Sequence, residues 1–252
     1  MEIPQGLNID KPNHVCKLNK SLYGLKQASR QWFAKLSSFL LSLHYNQSHH
    51  DHSLFTKHHG TRFTVILIYV DDLIIVGTDS DEINHIKQSL DVKFKIKDLG
   101  PLRYFLILEI ARSHLGISLS QQKYTLDLLD ETGFLPGKPV LTPIIKATRL
   151  SHTTDSPYKD PAGYRRLIGK LLYLTTTRPD ISYFVQQLSQ FLSCPQQSHY
   201  QAAIRVLKYL KGNPRQGLFY LADSPLQLKA FTDSNWASCP DTRRSLSSYS
   251  VS

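Results

Sequence analysis

The stretch Phe63 to Thr78, FTVILIYVDDLIIVGT, constrains the fold more than any other part of the chain. Eight mostly apolar residues run into two adjacent aspartates, Asp71 and Asp72, and a second apolar run follows at once. Val and Ile favour the pleated surface and paired Asp residues suit a tight turn, so the stretch reads as strand, a two-residue turn at Asp71-Asp72, strand. The turn holds no glycine, and its flanks are too apolar for a surface hairpin. Two carboxylates therefore emerge from the edge of a buried sheet, where they repel each other unless a cation sits beside them. Magnesium or manganese, hard divalent ions that take oxygen ligands, suit such a pair. A solvated Asp-Asp turn is the plain alternative, since both residues are common turn formers.

Upstream, the first nineteen residues read as irregular or short extended structure, punctuated by Pro4, Gly6 and Pro12. A long helical pattern opens near Lys20, with Leu25, Trp32, Leu36, Phe39, Leu40 and Leu43 on one face. Trp32 and Phe39 read as core. Lys26, Gln27 and Arg30 read as ordinary solvated positions that could also reach a phosphate or base edge. The histidines His44, His49, His50, His52, His58 and His59 contain HHDH, which could ligate zinc but matches no zinc spacing. They read better as loop histidines flanking a short strand at Ser53 to Lys57.

Downstream, Asp79-Ser80-Asp81-Glu82 offers a helix start with an acid at the cap and another three residues on, followed by the stripe Ile83, Ile86, Leu90. Phe94 to Lys97 alternates like a strand, and Asp98-Leu99-Gly100-Pro101 breaks it. Tyr104 to Ile110 and Ile117 to Leu119 suggest a further hairpin. Gln121 to Phe134 reads as a helix stopped by Gly133. Residues 135–161 are rich in Pro, Ser, Thr and Asp and read as a linker or extended loop, with Ile144-Ile145 marking a packed crossing. Three amphipathic helical patterns follow, around Tyr164 to Leu174, from Arg178-Pro179-Asp180 to Leu192, and over Ser198 to Lys211. Gly217 to Leu221 and Leu226 to Thr232 then alternate as strands.

These motifs, taken in order, resemble the polymerases of copia-type LTR retrotransposons. Tyr69-Val70-Asp71-Asp72 resembles the catalytic hairpin of reverse transcriptases, and KSLYGLKQASRQWF looks like the segment that precedes it. FKIKDLGPLRYFL, YRRLIGKLLYL, TRPDISY and LKYLKG match in the same order and spacing. FTDSNWASCPDTRRSLSSYS is similar to the opening of the ribonuclease H domain that follows the polymerase. The resemblance implies metal-binding, catalytic roles for Asp71 and Asp72, and substrate-side roles for Tyr69, Gln27 and Lys26. It puts Lys97 near the leaving phosphate, though a solvated strand lysine accounts for it equally. Asp233 matches the first metal-binding acid of the ribonuclease. One departure is Ile107, where the family usually has Gly in a hairpin near the primer end.

The implied fold is α+β. Residues 1–134 form a partial polymerase palm and thumb-like region, an antiparallel sheet with its catalytic hairpin plus helices. Residues 135–161 are a Pro-rich linker, 162–222 a helical thumb or connection, and 223–252 the start of a ribonuclease H-like domain. The implied activity is RNA-directed DNA polymerisation by two-metal nucleotidyl transfer with Mg2+ or Mn2+. Its partners are an RNA template, a DNA primer or duplex, deoxynucleoside triphosphates and the rest of a Pol polyprotein. A formal charge of +10 accords with a polyanionic partner, and the basic outer faces of the helical block suit a duplex backbone.

In the family the third polymerase acid lies upstream of the EIPQG segment, which here follows Met1, and neither Glu2, Asp10 nor Asp51 matches it. The reading frame is therefore expected to begin and end within a longer polyprotein. The alternative is a catalytically inactive retroelement remnant that at most binds nucleic acid. No apolar run is long enough for a membrane span, no signal peptide is visible, and three scattered cysteines form no CxxC. The expectation is an intracellular protein of cytoplasm or nucleus.

Overall fold

The structure, a computed structural model, describes residues 17, 25, 27–145, 150–151, 155–225, 227–237, 243 and 245–251. It is a mixed chain of helices and antiparallel sheets, divided into two compact units at the Gly100–Pro101 bond.

The first unit is built on an antiparallel sheet of β1 (Asn46–Gln47), β2 (Leu54–His59), β3 (Arg62–Tyr69) and β4 (Asp72–Gly77), in that order. Thr64, Ile66 and Ile68 are buried on one face of β3, alternating with the partly exposed Val65 and Leu67. That two-residue period sets which face is core. Ile66 and Ile68 join Phe55 in a cluster with Leu36 and Leu40 of α1 (Ala28–Ser42) and Ile86 and Leu90 of α2 (Ser80–Phe94). Both helices thus contribute to a single core. Leu25, expected on the apolar face of α1, precedes the helix and is exposed, because α1 begins only at Ala28.

The acidic helix start works as the sequence implies at the cap and differently three residues on. Asp79 caps α2, its Oδ1 accepting from the Glu82 N–H at 3.3 Å, and pairs with Arg62 at 3.3 Å. Glu82 accepts from the Tyr45 hydroxyl at 2.9 Å and from Lys57 Nζ at 3.0 Å. Burial, helped by the Glu82 carboxylate, pushes the Tyr45 hydroxyl well above its usual pKa.

The strand expected over Phe94 to Lys97 is absent. Phe94 is the last residue of α2, Lys95 turns left-handed at φ +57°, and residues 95–100 are irregular. The alternating Phe94 and Ile96 both pack on the core from the end of the helix, which satisfies the same apolar spacing without a partner strand.

In the second unit β5 (Tyr104–Phe105), β6 (Leu108–Ser113), β7 (Gly116–Ser120) and β8 (Leu218–Leu221) form another antiparallel sheet. Gly116 pairs with Leu221 at φ +152°, and a Cβ there would lie 2.0 Å from the Tyr220 carbonyl oxygen, so only glycine fits. Two residues, Leu106 and Ile107, join β5 to β6 with φ +48° and +68°. A two-residue turn with both φ positive favours glycine and asparagine. Ile107 therefore occupies a strained position, one that glycine would adopt without strain.

Helix α3 (Gln122–Glu131) stops near Gly133 at φ +74°. It packs with α4 (Pro161–Leu174), α5 (Ser182–Ser189) and α6 (Gln197–Gly212) around Leu171, Leu174, Val185, Leu188 and Leu207, all 0% exposed. Pro179–Ile181 forms a single 3-10 turn ahead of α5, and Asp160 caps α4 through the Gly163 N–H at 2.8 Å. The described part of the Pro-rich segment lies along α6. Val140 N donates to Lys208 O, Arg205 to Thr142 Oγ1, and Lys211 to the Leu135 and Gly137 carbonyls, while Ile144 packs on the helical core.

Arg178, 1% exposed, ties the 3-10 turn to the C-terminal end of α6. It donates to both Asp180 oxygens at 2.9 and 2.8 Å and to Asn213 O at 3.0 Å. Beyond β8, β9 (Ala230–Asn235) and β10 (Leu246–Val251) pair as a two-stranded antiparallel hairpin, leaving Phe231, Trp236 and Tyr249 exposed.

Candidate functional site

The hairpin is present, and its turn is displaced by one residue from the sequence expectation. Tyr69 pairs with Asp72 across β3 and β4, so the two-residue loop is Val70-Asp71 and not Asp71-Asp72. Asp71 sits at the tip while Asp72 opens β4, and both are exposed. In the observed register Ile68 pairs with Leu73 and Ile66 with Ile75. Tyr69 and Asp72 are consequently cross-strand neighbours on the face opposite α1 and α2. Tyr69 is 50% exposed.

The loop is strained. Val70 adopts φ +52°, a region that a β-branched residue rarely enters, and 63% of its surface is exposed. With a positive φ at the first loop residue only, the loop resembles a type II′ turn. Trp32 holds it from α1, its indole Nε1–H donating to the Val70 carbonyl at 3.0 Å. On the apolar face of its helical pattern, Trp32 reads as core packing alone. Its indole donor was the one available signal of a second role, because a partly buried Trp N–H generally finds an acceptor.

The other site residues fall as follows. Gln27 is the exposed residue before α1, with no side-chain cap bond, and Lys26 lies outside the described residues. Lys97 is exposed in the irregular stretch after α2, so it is not on a strand. Asp233 sits on β9 opposite Ser248, in the second unit. His49, His50, His52, His58 and His59 are exposed, and His44 follows α1 at φ +65°. Among the described residues, no group of three or more His, Cys, Asp or Glu side chains is placed to hold a metal ion.

The helical block uses many of its cations internally. Arg165 donates to Leu192 O at 2.8 Å, Lys170 pairs with Glu131, and Arg205 and Lys211 bind the Pro-rich segment. Their charge can still attract a polyanion, but these donors are already engaged within the fold.

Comparison with known proteins adds the decisive observation: residues 1–146 match the sequence profile described as reverse transcriptase (RNA-dependent DNA polymerase). The chain belongs to the reverse transcriptase family. All of it aligns with the Retrovirus-related Pol polyprotein from transposon RE1 of Arabidopsis thaliana at 42% identity over 252 residues. The corresponding polyprotein from transposon TNT 1-94 of Nicotiana tabacum is 37% identical over 260 residues, covering 99% of the chain. The chain spans 17% and 20% of the lengths of these two relatives. It also aligns at 33% identity with the putative transposon Ty5-1 protein of Saccharomyces cerevisiae, covering 98% of the chain and 80% of that protein. No solved structure matches. In this reverse transcriptase-like region, Tyr69 to Asp72 and all of the first unit lie within the matched residues.

Among the described residues no helix is long and apolar enough to cross a membrane.

Proposed function

We propose that this chain contributes the aspartate hairpin of an RNA-directed DNA polymerase. The observation that carries this reading is the hairpin tip: Asp71 in the loop and Asp72 beside Tyr69 on the sheet face opposite α1 and α2, within the residues matched by the family profile. The donor set fits a hard divalent cation, because both groups are exposed carboxylates with oxygen-only lone pairs. Asp71 and Asp72 would hold Mg2+ or Mn2+. Such ions, when bound, neutralise the triphosphate and lower the pKa of the primer hydroxyl.

In this reading the chain's own groups position the reactants. Tyr69, 50% exposed, lies beside Asp72, where it would contact the nucleotide or primer terminus. Gln27 at the start of α1 and Lys97 after α2 are exposed cationic or amide groups of the same unit, suited to substrate contact. The first unit corresponds to palm, the helical block to thumb or connection, and the β9–β10 hairpin with Asp233 to the start of a ribonuclease H-like domain. The partners are an RNA template, a DNA primer and deoxynucleoside triphosphates, in the setting of a Pol polyprotein.

Primer extension on an RNA template, with Mg2+ and separately with Mn2+, tests the reading. Extension by the wild type that disappears in Asp71→Asn supports it. Extension that persists in Asp71→Asn and Asp72→Asn would show that the carboxylates are not the reaction centre. A chain that binds primer-template without extending it would instead be a nucleic-acid-binding remnant.

A further inference from the structure

We infer that Trp32 is a positioning residue for the metal-holding turn, fixing the Asp71 carboxylate relative to Asp72 through the Val70 carbonyl. The inference rests on the reading of Asp71 and Asp72 as a metal-holding pair.

Val70 is the strained residue of the turn. Its left-handed φ of +52° is disfavoured for a branched side chain, and its surface exposure leaves little packing to enforce it. An unsupported loop of this kind would relax towards other backbone angles. The Trp32 indole has one donor and no acceptor, and it spends that donor on the Val70 carbonyl at 3.0 Å. The peptide unit is planar, so fixing the Val70 C=O also fixes the Asp71 N–H and the direction of the Asp71 Cα. Asp72 is held independently by its pairing with Tyr69 in the sheet. The indole bond therefore restrains the orientation of the Val70–Asp71 peptide plane, one of the coordinates that set the Asp71 carboxylate relative to Asp72.

Trp32 is itself held. Its ring meets Phe94 edge-on, with centroids 5.2 Å apart and an 82° angle between planes, and Phe94 meets Phe39 likewise at 5.3 Å and 79°. The position of the loop is thus tied to the C-terminal end of α2, where Lys95 closes the helix. The same device occurs independently in the second unit. There the Tyr173 hydroxyl donates at 2.7 Å to Leu106 O, the first residue of the β5–β6 turn, whose non-glycine residues also have positive φ. In both places an aromatic donor from a helix holds the carbonyl of the residue that opens a strained turn.

The test is Mn2+ binding by the full chain, read by electron paramagnetic resonance, with primer extension alongside. Asp71→Asn defines the specific site. Trp32→Phe keeps a ring against Phe94 and removes the donor, and a lost hydrogen bond of ordinary strength weakens Mn2+ by about five- to tenfold. The extension rate falls by a similar factor, with KM for nucleotide within about twofold. In a Val70→Gly background, where glycine accepts positive φ unaided, Trp32→Phe costs less than about twofold. Tyr173→Phe, which loosens the other turn, leaves Mn2+ affinity at the wild-type value. Should Trp32→Phe misfold, hydrogen exchange of the wild-type indole N–H decides the matter: protection supports the bond, and exchange at the free-indole rate overturns it. Equal Mn2+ affinity in wild type and Trp32→Phe overturns the positioning role while leaving the metal pair intact. A wild type without Asp71-dependent Mn2+ binding overturns the metal pair itself.

Discussion

Removing either partner of the Arg178–Asp180 pair should destabilise the second unit unequally. The Arg178 side chain is 2% exposed and that of Asp180 23%. Asp180→Asn leaves a buried guanidinium facing a single amide oxygen and the Asn213 carbonyl. Stranding one member of a buried pair costs about 3–5 kcal/mol, and this variant belongs in that range. Arg178→Met leaves a carboxylate that water can reach and that still accepts from the Tyr209 hydroxyl at 2.8 Å, so its cost should be about 2–3 kcal/mol. Burial works to raise the Asp180 pKa, but the Arg178 and Tyr209 hydrogen bonds and the Arg178 charge outweigh it and hold the carboxyl below its usual range. A depressed acid stabilises the fold above its unfolded pKa of about 3.9, and the contribution is lost as pH falls through the lower folded value. Native-state hydrogen exchange of α5 and α6 measures the losses without requiring the two-unit chain to unfold in one step. The gap between wild type and Asp180→Asn should narrow below about pH 4. A larger loss for Arg178→Met than for Asp180→Asn at pH 7, or a gap that stays constant down to pH 3, would refute this account.

Two further outcomes follow from the strained and buried groups. Ile107→Gly should stabilise the β5–β6 hairpin by about 0.5–1 kcal/mol, since relief of a left-handed penalty of about 1–2 kcal/mol exceeds the entropy cost of glycine; slower exchange of the Glu109 amide region checks it, and a lower thermal midpoint speaks against it. Tyr158 stacks on Tyr200 with ring centroids 4.2 Å apart, and burial, then the Tyr200 hydrogen bond, pushes its hydroxyl up to about 12. Its stabilising contribution is full below about pH 10 and lost as pH rises through the folded value, so Tyr158→Phe should remove a late-ionising component from the phenolate absorbance titration.

Much of the chain was legible because its local chemistry is unambiguous. Alternation in FTVILIYV and LIIV marks two strands, the Asp79 cap marks a helix start, and the stripes ending at Leu90, Leu174 and Leu210 mark buried helix faces. The ordered motifs also carried the family. Periodicity could not supply the register. Asp is a turn former, so Asp71-Asp72 reads as the turn, whereas the pairing of Tyr69 with Asp72 puts the loop at Val70-Asp71. It could not tell that Phe94 ends a helix, since the same spacing serves a strand. Nor could it pair β7 with β8, which are about a hundred residues apart. The sequence by itself determined the carboxylate pair, the strands that carry it and the helices that cover one face, all of which depend on near neighbours. Only the tertiary structure decided that Trp32 from α1 reaches the Val70 carbonyl, because that contact joins residues 38 positions apart through a single directional bond.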